Sequence, residues 1–282
     1  MSRVPMTRFL SVLLIAATAP VLPVSATKVA PPPPVYRYAD MADLATKAPV
    51  VVDATITDAA KIKPTEAAGL APGHVRYYLT VTINALVRAP GGLPPEVGYL
   101  YDAPLDAAGR APKLKKMRVI IFARTVANTP DQLQLVTPDA QLQWSPQTDA
   151  TVRRLAADLV SPKAPPAIVG ISNAFHAAGV LPGEGETQIF LKTTGHPISL
   201  GIQRKQNQAP VWTVSLSEVV EDALPPPQRD TFLWYRLACG LPVEIPADTL
   251  SGLDPADAAA VQQDYALVKQ GLGPCRAGAN PS

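Results

Sequence analysis

Alternation of apolar and polar positions predicts the strands of the first half of the chain. The clearest case covers residues 75–87, which place apolar side chains on one face and polar side chains on the other. The apolar positions are Val75, Tyr77, Leu79, Val81 and Ile83. Shorter apolar runs predict four further strands, at residues 50–57, 97–101, 117–124 and 133–137. The first half is therefore predicted to contain five strands, with a long and curved second one.

The apolar period becomes helical after the fifth strand. Ser145 and Pro146 are a suitable N-cap and first helical residue. The apolar positions that follow recur at a spacing of three and four, at Val152, Leu155, Ala156 and Leu159. Pro162 prevents the helix from continuing. A helix is therefore predicted to flank the strands of the first half.

The second half is predicted to be a β-meander followed by two helices. Apolar runs indicate strands at residues 167–171, 187–192, 198–203 and 211–216, and a loop at residues 172–185. The two helices cover residues 229–238 and 254–272, and the second begins with an Asp254 N-cap and Pro255. The fold class expected for the whole chain is α+β and mainly β.

The proline-rich connectors suggest a division of the chain. Residues 1–26 read as a signal peptide and residues 27–37 as a spacer. Residues 38–162 then form the β-barrel-like domain with its helix. Residues 163–282 form the β-meander with its helical cap. The break between these halves is expected at the prolines of residues 161–166.

The N-terminal residues predict export from the cytosol. Arg3 and Arg8 precede an apolar run over residues 9–19, and Val24-Ser25-Ala26 is a small-residue cleavage site. The run is too short to cross a bilayer, so we expect no stable membrane insertion after cleavage. The expected location is periplasmic or secreted. In an oxidising compartment the only two cysteines, Cys239 and Cys275, are expected to form a disulfide.

Charge and motifs exclude a nucleic-acid partner. Loss of residues 1–26 removes two arginines and no acidic residue, which leaves 23 basic residues against 23 acidic ones. A nucleic-acid-binding protein is expected to have a basic excess, because phosphate contacts supply most of its affinity. The expected partner is an unknown protein or another component of the cell envelope.

Candidate chemistry is sparse. The sequence contains no nucleotide loop, no His-x-x-x-His metal pattern and no Gly-x-Ser-x-Gly elbow, and no cofactor is expected. His176, Glu184 and Glu186 fall in or next to the predicted loop at residues 172–185. These three side chains are the candidate binding residues. They are also the candidate acid–base groups of an alternative hydrolase site.

The predicted strands resemble a known barrel. Residues 50–54 (VVVDA), 81–87 (VTINALV) and 113–124 (KLKKMRVIIFAR) resemble the OB-like barrel of netrin-like and tissue-metalloproteinase-inhibitor-like proteins. This resemblance implies a five-stranded OB-like barrel over roughly residues 40–160. The inhibitors insert an N-terminal cysteine into the protease, whereas this half of the chain has no cysteine. Their inhibitory mechanism is therefore not carried over.

A second resemblance covers most of the exported chain. The segments GEGETQIFL, WYRLAC and LGPC, at residues 183–191, 234–239 and 272–275, resemble an uncharacterised family of secreted proteobacterial proteins. The resemblance implies export and no particular activity. We therefore expect a non-enzymatic binding or structural module of the cell envelope. The alternatives are the hydrolase described above and a protease inhibitor analogous to the netrin-like families.

Overall fold

The structure, a computed structural model, describes Met1 and residues 34–217 and 223–276. The predicted signal peptide and most of the predicted spacer lie outside the described residues, and the signal peptide stays a prediction. The helices are α1 (Tyr38–Lys47), α2 (Pro146–Val160), α3 (Phe232–Gly240), α4 (Ala247–Leu250) and α5 (Pro255–Leu272). The strands of the first half are β1 (Val50–Lys61), β2 (His74–Arg88), β3 (Glu96–Pro104), β4 (Arg118–Val126), β5 (Thr129–Leu135) and β6 (Gln141–Gln143). The strands of the second half are β7 (Ile168–Ala178), β8 (Gly185–Thr193), β9 (Ile198–Arg204) and β10 (Val211–Ser215).

The first five strands close into a mixed barrel in the order β1-β2-β3-β5-β4, with β4 pairing back to β1. All of these pairings are antiparallel except the one between β3 and β5. The short strand β6 extends the sheet along β4 beyond β5. The predicted fold class is confirmed: an OB-like barrel with a flanking helix, followed by a β-meander and C-terminal helices.

Strand alternation separates the inside of the barrel from its outer wall. In β1, Val50, Val52 and Ile56 point into the barrel core, whereas Val51 points outward against the helices. Each apolar side chain that is fully removed from water contributes about 1.5–3 kcal/mol to folding. Helices α1 and α2 pack on this outer wall. The predicted cap of α2 is confirmed, because the Ser145 hydroxyl accepts a hydrogen bond from the Thr148 amide at 3.1 Å.

The second half is an antiparallel four-stranded meander in the order β10-β9-β8-β7. Helices α3 and α5 pack against β7, and α5 also contacts β8. One apolar core contains residues from α1, α2 and the outer wall of the barrel together with residues of this sheet and these helices. The two halves therefore share a core. The division of the chain at residue 162 stays a prediction.

A disulfide joins the two long C-terminal helices of the meander. Cys239 at the end of α3 bonds to Cys275, which follows α5, with 5.0 Å between their Cα atoms. This confirms the predicted disulfide. The predicted N-cap of α5 is also confirmed, because Asp254 accepts a hydrogen bond from the Ala256 amide at 2.9 Å. Together these contacts fix both ends of α5.

One local prediction was wrong, and two short elements were missed. The expected loop at residues 172–185 is mostly strand, because β7 continues to Ala178 and pairs with β8 over its whole length. Only residues 179–184 form the turn. The short elements β6 and α4 were not predicted, because three or four residues carry too little periodicity to be recognised.

Candidate functional site

His176 lies on β7, on the face of the sheet that packs against α5. Its Nδ1 atom is 2.9 Å from the hydroxyl oxygen of Thr187, the residue directly opposite on β8. That hydroxyl donates its one proton to Oδ2 of Asp264 at 2.5 Å. Because the hydroxyl proton is used in this way, Nδ1 of His176 donates to the Thr187 oxygen. His176 is therefore one end of a hydrogen-bonded chain that runs from the sheet to α5.

Asp264 is the centre of this chain. It is fully buried on α5, and the Nε atom of Arg204 on β9 donates to its Oδ1 atom at 2.5 Å. Thr187 is fully buried as well. A substrate therefore has no access to the hydroxyl or the carboxylate. The network links a helix to a sheet, and its buried hydroxyl and carboxylate are engaged in that link.

The two candidate glutamates do not join His176. Glu186 precedes Thr187 on β8, so its side chain points to the opposite face of the sheet. There it accepts a hydrogen bond from Nε2 of Gln188 at 2.7 Å. Glu184 lies in the turn, where it accepts from the backbone amide of Gln206 at 3.4 Å. The three predicted site residues thus do not converge in one cleft.

Thr187, Arg204 and Asp264 were not among the predicted site residues. One signal was available for the last of these. The apolar stripe of α5 includes Val261, Tyr265 and Val268, and Asp264 falls on the same face of the helix. A carboxylate at a core position has to be paired, so the position itself predicts a buried partner.

A more open site lies where the barrel closes. We call it the seam groove: two adjoining cavities of about 590 and 660 Å³ that border the C-terminal half of β3. Its opposite wall is the segment at residues 132–142, and α1 and Arg276 complete one end. Asp102, Thr137 and Pro138 line both cavities. The two cavities therefore form one continuous surface depression.

The seam exists because β3 and β5 are joined by a single residue pair, Gly98–Gln132. Beyond that pair β5 turns toward β4, while β3 continues along β2 to Pro104. Within the described part of the chain, no strand pairs with the other side of residues 99–104. This stretch is a free strand edge inside the groove.

Gly98 makes room for an aromatic ring at the pairing point. A Cβ atom at this position would collide with the hydroxyl of Tyr78, whose ring crosses over it from β2. Tyr78 in turn lines the second cavity. The glycine therefore lets an aromatic ring close one end of the groove.

Four tyrosines line the groove: Tyr36, Tyr78, Tyr99 and Tyr101. Tyr99 donates from its hydroxyl to Oε1 of Gln141 at 2.5 Å, and the Tyr36 hydroxyl oxygen accepts from the Gln143 amide at 2.8 Å. Burial raises the pKa of Tyr36, Tyr99 and Tyr101 above the ordinary value. These phenols are therefore neutral at physiological pH. Tyr36 and Tyr101 are partly exposed and give the groove amphipathic walls, whereas the Tyr99 side chain is buried in the barrel core.

Charged side chains in the groove are mostly paired. Arg76 binds both carboxylate oxygens of Asp102, at 2.6 and 2.7 Å, and these hydrogen bonds lower the pKa of Asp102. At the other end Arg276 binds Asp40 and Asp43 of α1. Arg276 directly follows Cys275, so the disulfide places this arginine at the groove rim.

Among the described residues, no group of three or more His, Cys, Asp or Glu side chains is arranged to hold a metal ion. No helix in the described part is both long and apolar enough to cross a membrane. Comparison with protein-family models and with curated proteins finds no match. The chemistry of the site therefore has to be read from its own residues.

Proposed function

We propose that this chain is a non-enzymatic binding protein of the cell envelope, periplasmic or secreted, and that the seam groove is its ligand site. The observation that carries the proposal is the groove itself. It combines about 590 and 660 Å³ of adjoining space with a lining of four tyrosines, Tyr36, Tyr78, Tyr99 and Tyr101. Concave sites with apolar walls and a few polar groups are typical of ligand binding.

An unsatisfied polar group beside the groove supports the same proposal. Thr137 lines both cavities, and its hydroxyl oxygen is buried beneath them with no hydrogen-bond partner in the described part of the chain. A buried polar group without a partner is costly, and such groups call for an explanation such as a ligand or water. Thr137 therefore places one unused hydrogen-bonding group next to the groove.

Binding is favoured over the hydrolase alternative because His176, Glu184 and Glu186 are dispersed. The proposed export rests on the leader at residues 1–26 and on the disulfide. Disulfides persist in oxidising compartments and are rare in the cytosol. The proposed partner is a protein or another component of the cell envelope.

Site-specific photo-crosslinking in the exporting cell tests the proposal. A photoreactive phenylalanine derivative replaces Leu100, which is exposed and lines the second cavity. The matched control carries it in place of Val169, which is similarly exposed but lies on β7. We expect an adduct with an envelope component from position 100 and none of that mass from position 169. Equal adducts at both positions, or none at position 100, would reject the seam groove as the site.

A further inference from the structure

We propose that the seam groove takes an extended peptide, which adds to the free edge of β3 as an extra strand. This inference rests on the proposed function, because it names the ligand class of that same groove. It predicts a strand that lies beside residues 99–104, between β3 and the wall at residues 132–142.

The backbone of β3 supplies the hydrogen-bonding groups. In an antiparallel pair, every second residue directs its N–H and C=O groups away from its partner strand. Since β3 is paired with β2 throughout residues 96–104, its alternate residues direct these groups into the seam. Donors and acceptors that repeat at this spacing are matched by another extended backbone.

The residues that line the groove show that the edge of β3 borders it. A groove over one face of the strand would have a different lining. Successive side chains of a strand point to opposite faces, so a cavity over one face would be lined by every second residue. Instead, the consecutive residues Tyr99, Leu100, Tyr101 and Asp102 all line the groove. The free edge spans six residues, or about 20 Å at roughly 3.3 Å per residue. A peptide of about six residues fits this length.

The walls indicate apolar side chains on the peptide. Toward Pro104 the first cavity has apolar walls from Met41, Leu44 and Leu142. Toward Gly98 the second cavity is bordered by Leu133 and Val136. Pockets for alternate side chains provide the specificity in strand addition. The preferred peptide therefore carries apolar residues within its six positions.

The charges of the groove favour an uncharged segment. The two cavities are lined by five lysines and arginines and four aspartates: Arg37, Lys47, Arg76, Arg124 and Arg276 against Asp40, Asp43, Asp102 and Asp139. This balance gives no net attraction for a phosphate chain, which depends on a basic surface. Binding of a neutral peptide is expected to respond weakly to salt.

The first test is selection from a phage-displayed library of linear hexapeptides on the exported chain, residues 27–282. The selected peptide is then measured against two tryptophan variants. Pro138→Trp fills the groove, because Pro138 is exposed and lines both cavities. Pro182→Trp is the matched control at an exposed proline in the β7–β8 turn. We expect Pro138→Trp to weaken binding about tenfold or more and Pro182→Trp to leave it unchanged, since an occupied pocket excludes the ligand.

The second test is an N-methyl scan of the selected peptide. Methylation removes one backbone N–H at a time, so an added strand is expected to lose affinity at alternate positions, by about tenfold each, and to tolerate methylation between them. This alternation, together with a change of less than about threefold between low and high salt, supports the inference.

Other results separate the inference from the proposed function. Binding that Pro138→Trp abolishes, but that shows no alternation in the scan, overturns strand addition and leaves the groove as the ligand site. Failure of any peptide to be selected, alongside a position 100 adduct, also overturns strand addition and indicates another ligand class. A selected peptide that binds Pro138→Trp as well as the wild type overturns both.

Discussion

The two halves of the molecule each bury one aspartate and pair it with an arginine, but the two pairs connect different elements. In the barrel, Asp53 of β1 is bound by Arg118 of the adjacent strand β4 and by Asn84 of the adjacent strand β2. In the second half, Asp264 of α5 is bound by groups on β8 and β9. The first pairing lies within one sheet, whereas the second connects two layers.

The difference decides what happens when the carboxylate is removed. Arg118 is 43% exposed and its guanidinium lies 3.8 Å from the ring centroid of Trp144, so it can be rehydrated and stays packed. Thr187 is fully buried and cannot exchange its lost partner for water. Buried groups that lose a partner pay their full desolvation cost. The network that links α5 to the sheet should therefore tolerate less change than the one in the barrel wall.

The largest effect is expected for Asp264→Ala. It leaves the buried Thr187 hydroxyl and the 28% exposed Arg204 without their shared acceptor, and we expect this to cost about 2–4 kcal/mol. The free energy of unfolding, measured with urea, should fall by that amount. Gln263→Ala is the control on the neighbouring exposed position of α5, and it should change stability little. A loss below about 1 kcal/mol for Asp264→Ala would mean that the network does not hold α5.

A smaller, pH-dependent effect is expected for Asp53→Asn. Burial would by itself raise the pKa of Asp53, but the hydrogen bonds from Arg118 and Asn84 and the charge of Arg118 outweigh it and lower the pKa. The carboxylate therefore stabilises the fold fully above its unfolded pKa of about 4, and this stability is lost as the pH falls through the lower folded pKa. At pH 7 we expect a loss of about 1.5–3 kcal/mol in the variant.

Urea unfolding of Asp53→Asn and wild type across pH 2–7 checks this prediction. The two stabilities should converge at the acid end, where the wild-type carboxylate is protonated as well. Asp131→Asn, at an exposed position of β5, is the control and should follow the wild type throughout. A gap that stays constant down to pH 2 would contradict a role for the ionised carboxylate.

The smallest effect is expected for His176→Ala. The half-buried imidazole contributes one hydrogen bond to Thr187, so its loss should cost about 0.5–1.5 kcal/mol. His196→Ala, in an exposed turn, is the matched control and should cost less. A broad esterase, peptidase and glycosidase screen accompanies both variants. Any turnover by the wild type that disappears in His176→Ala alone would restore the hydrolase alternative.

Local signals predicted the elements well where the apolar period or a helix cap was clear. The alternation from Val75 to Ile83 lies within β2, and the caps at Ser145 and Asp254 begin α2 and α5 as expected. Each of these signals comes from the side-chain period or from a cap next to its own helix, so neighbouring residues suffice to specify it. The predicted strand at residues 167–171 ended too early, because the second half of β7 has small residues and a histidine and lacks a clear apolar alternation.

The candidate site was much harder to predict. A site was predicted in and next to residues 172–185 because a histidine occurs there with two glutamates beside glycines. In the folded sheet, His176 lies opposite Thr187, whereas Glu186 points to the other face of β8. The strand register therefore keeps His176 and Glu186 apart. The seam groove gave no local signal, because Tyr36, Tyr101 and Thr137 are far apart in the chain and meet only after the barrel closes.

The sequence by itself determined the mainly β class, the order of the long elements, the helix caps and the pairing of the only two cysteines, because each depends on local periodicity, local caps or a count. The tertiary structure decided which strands meet, how far each pairing runs and which polar side chains share a buried space. A period of two tells which face a residue occupies, but it does not tell what lies opposite. The single Gly98–Gln132 pair, the free edge beside it and the Asp264 network all depend on that missing information.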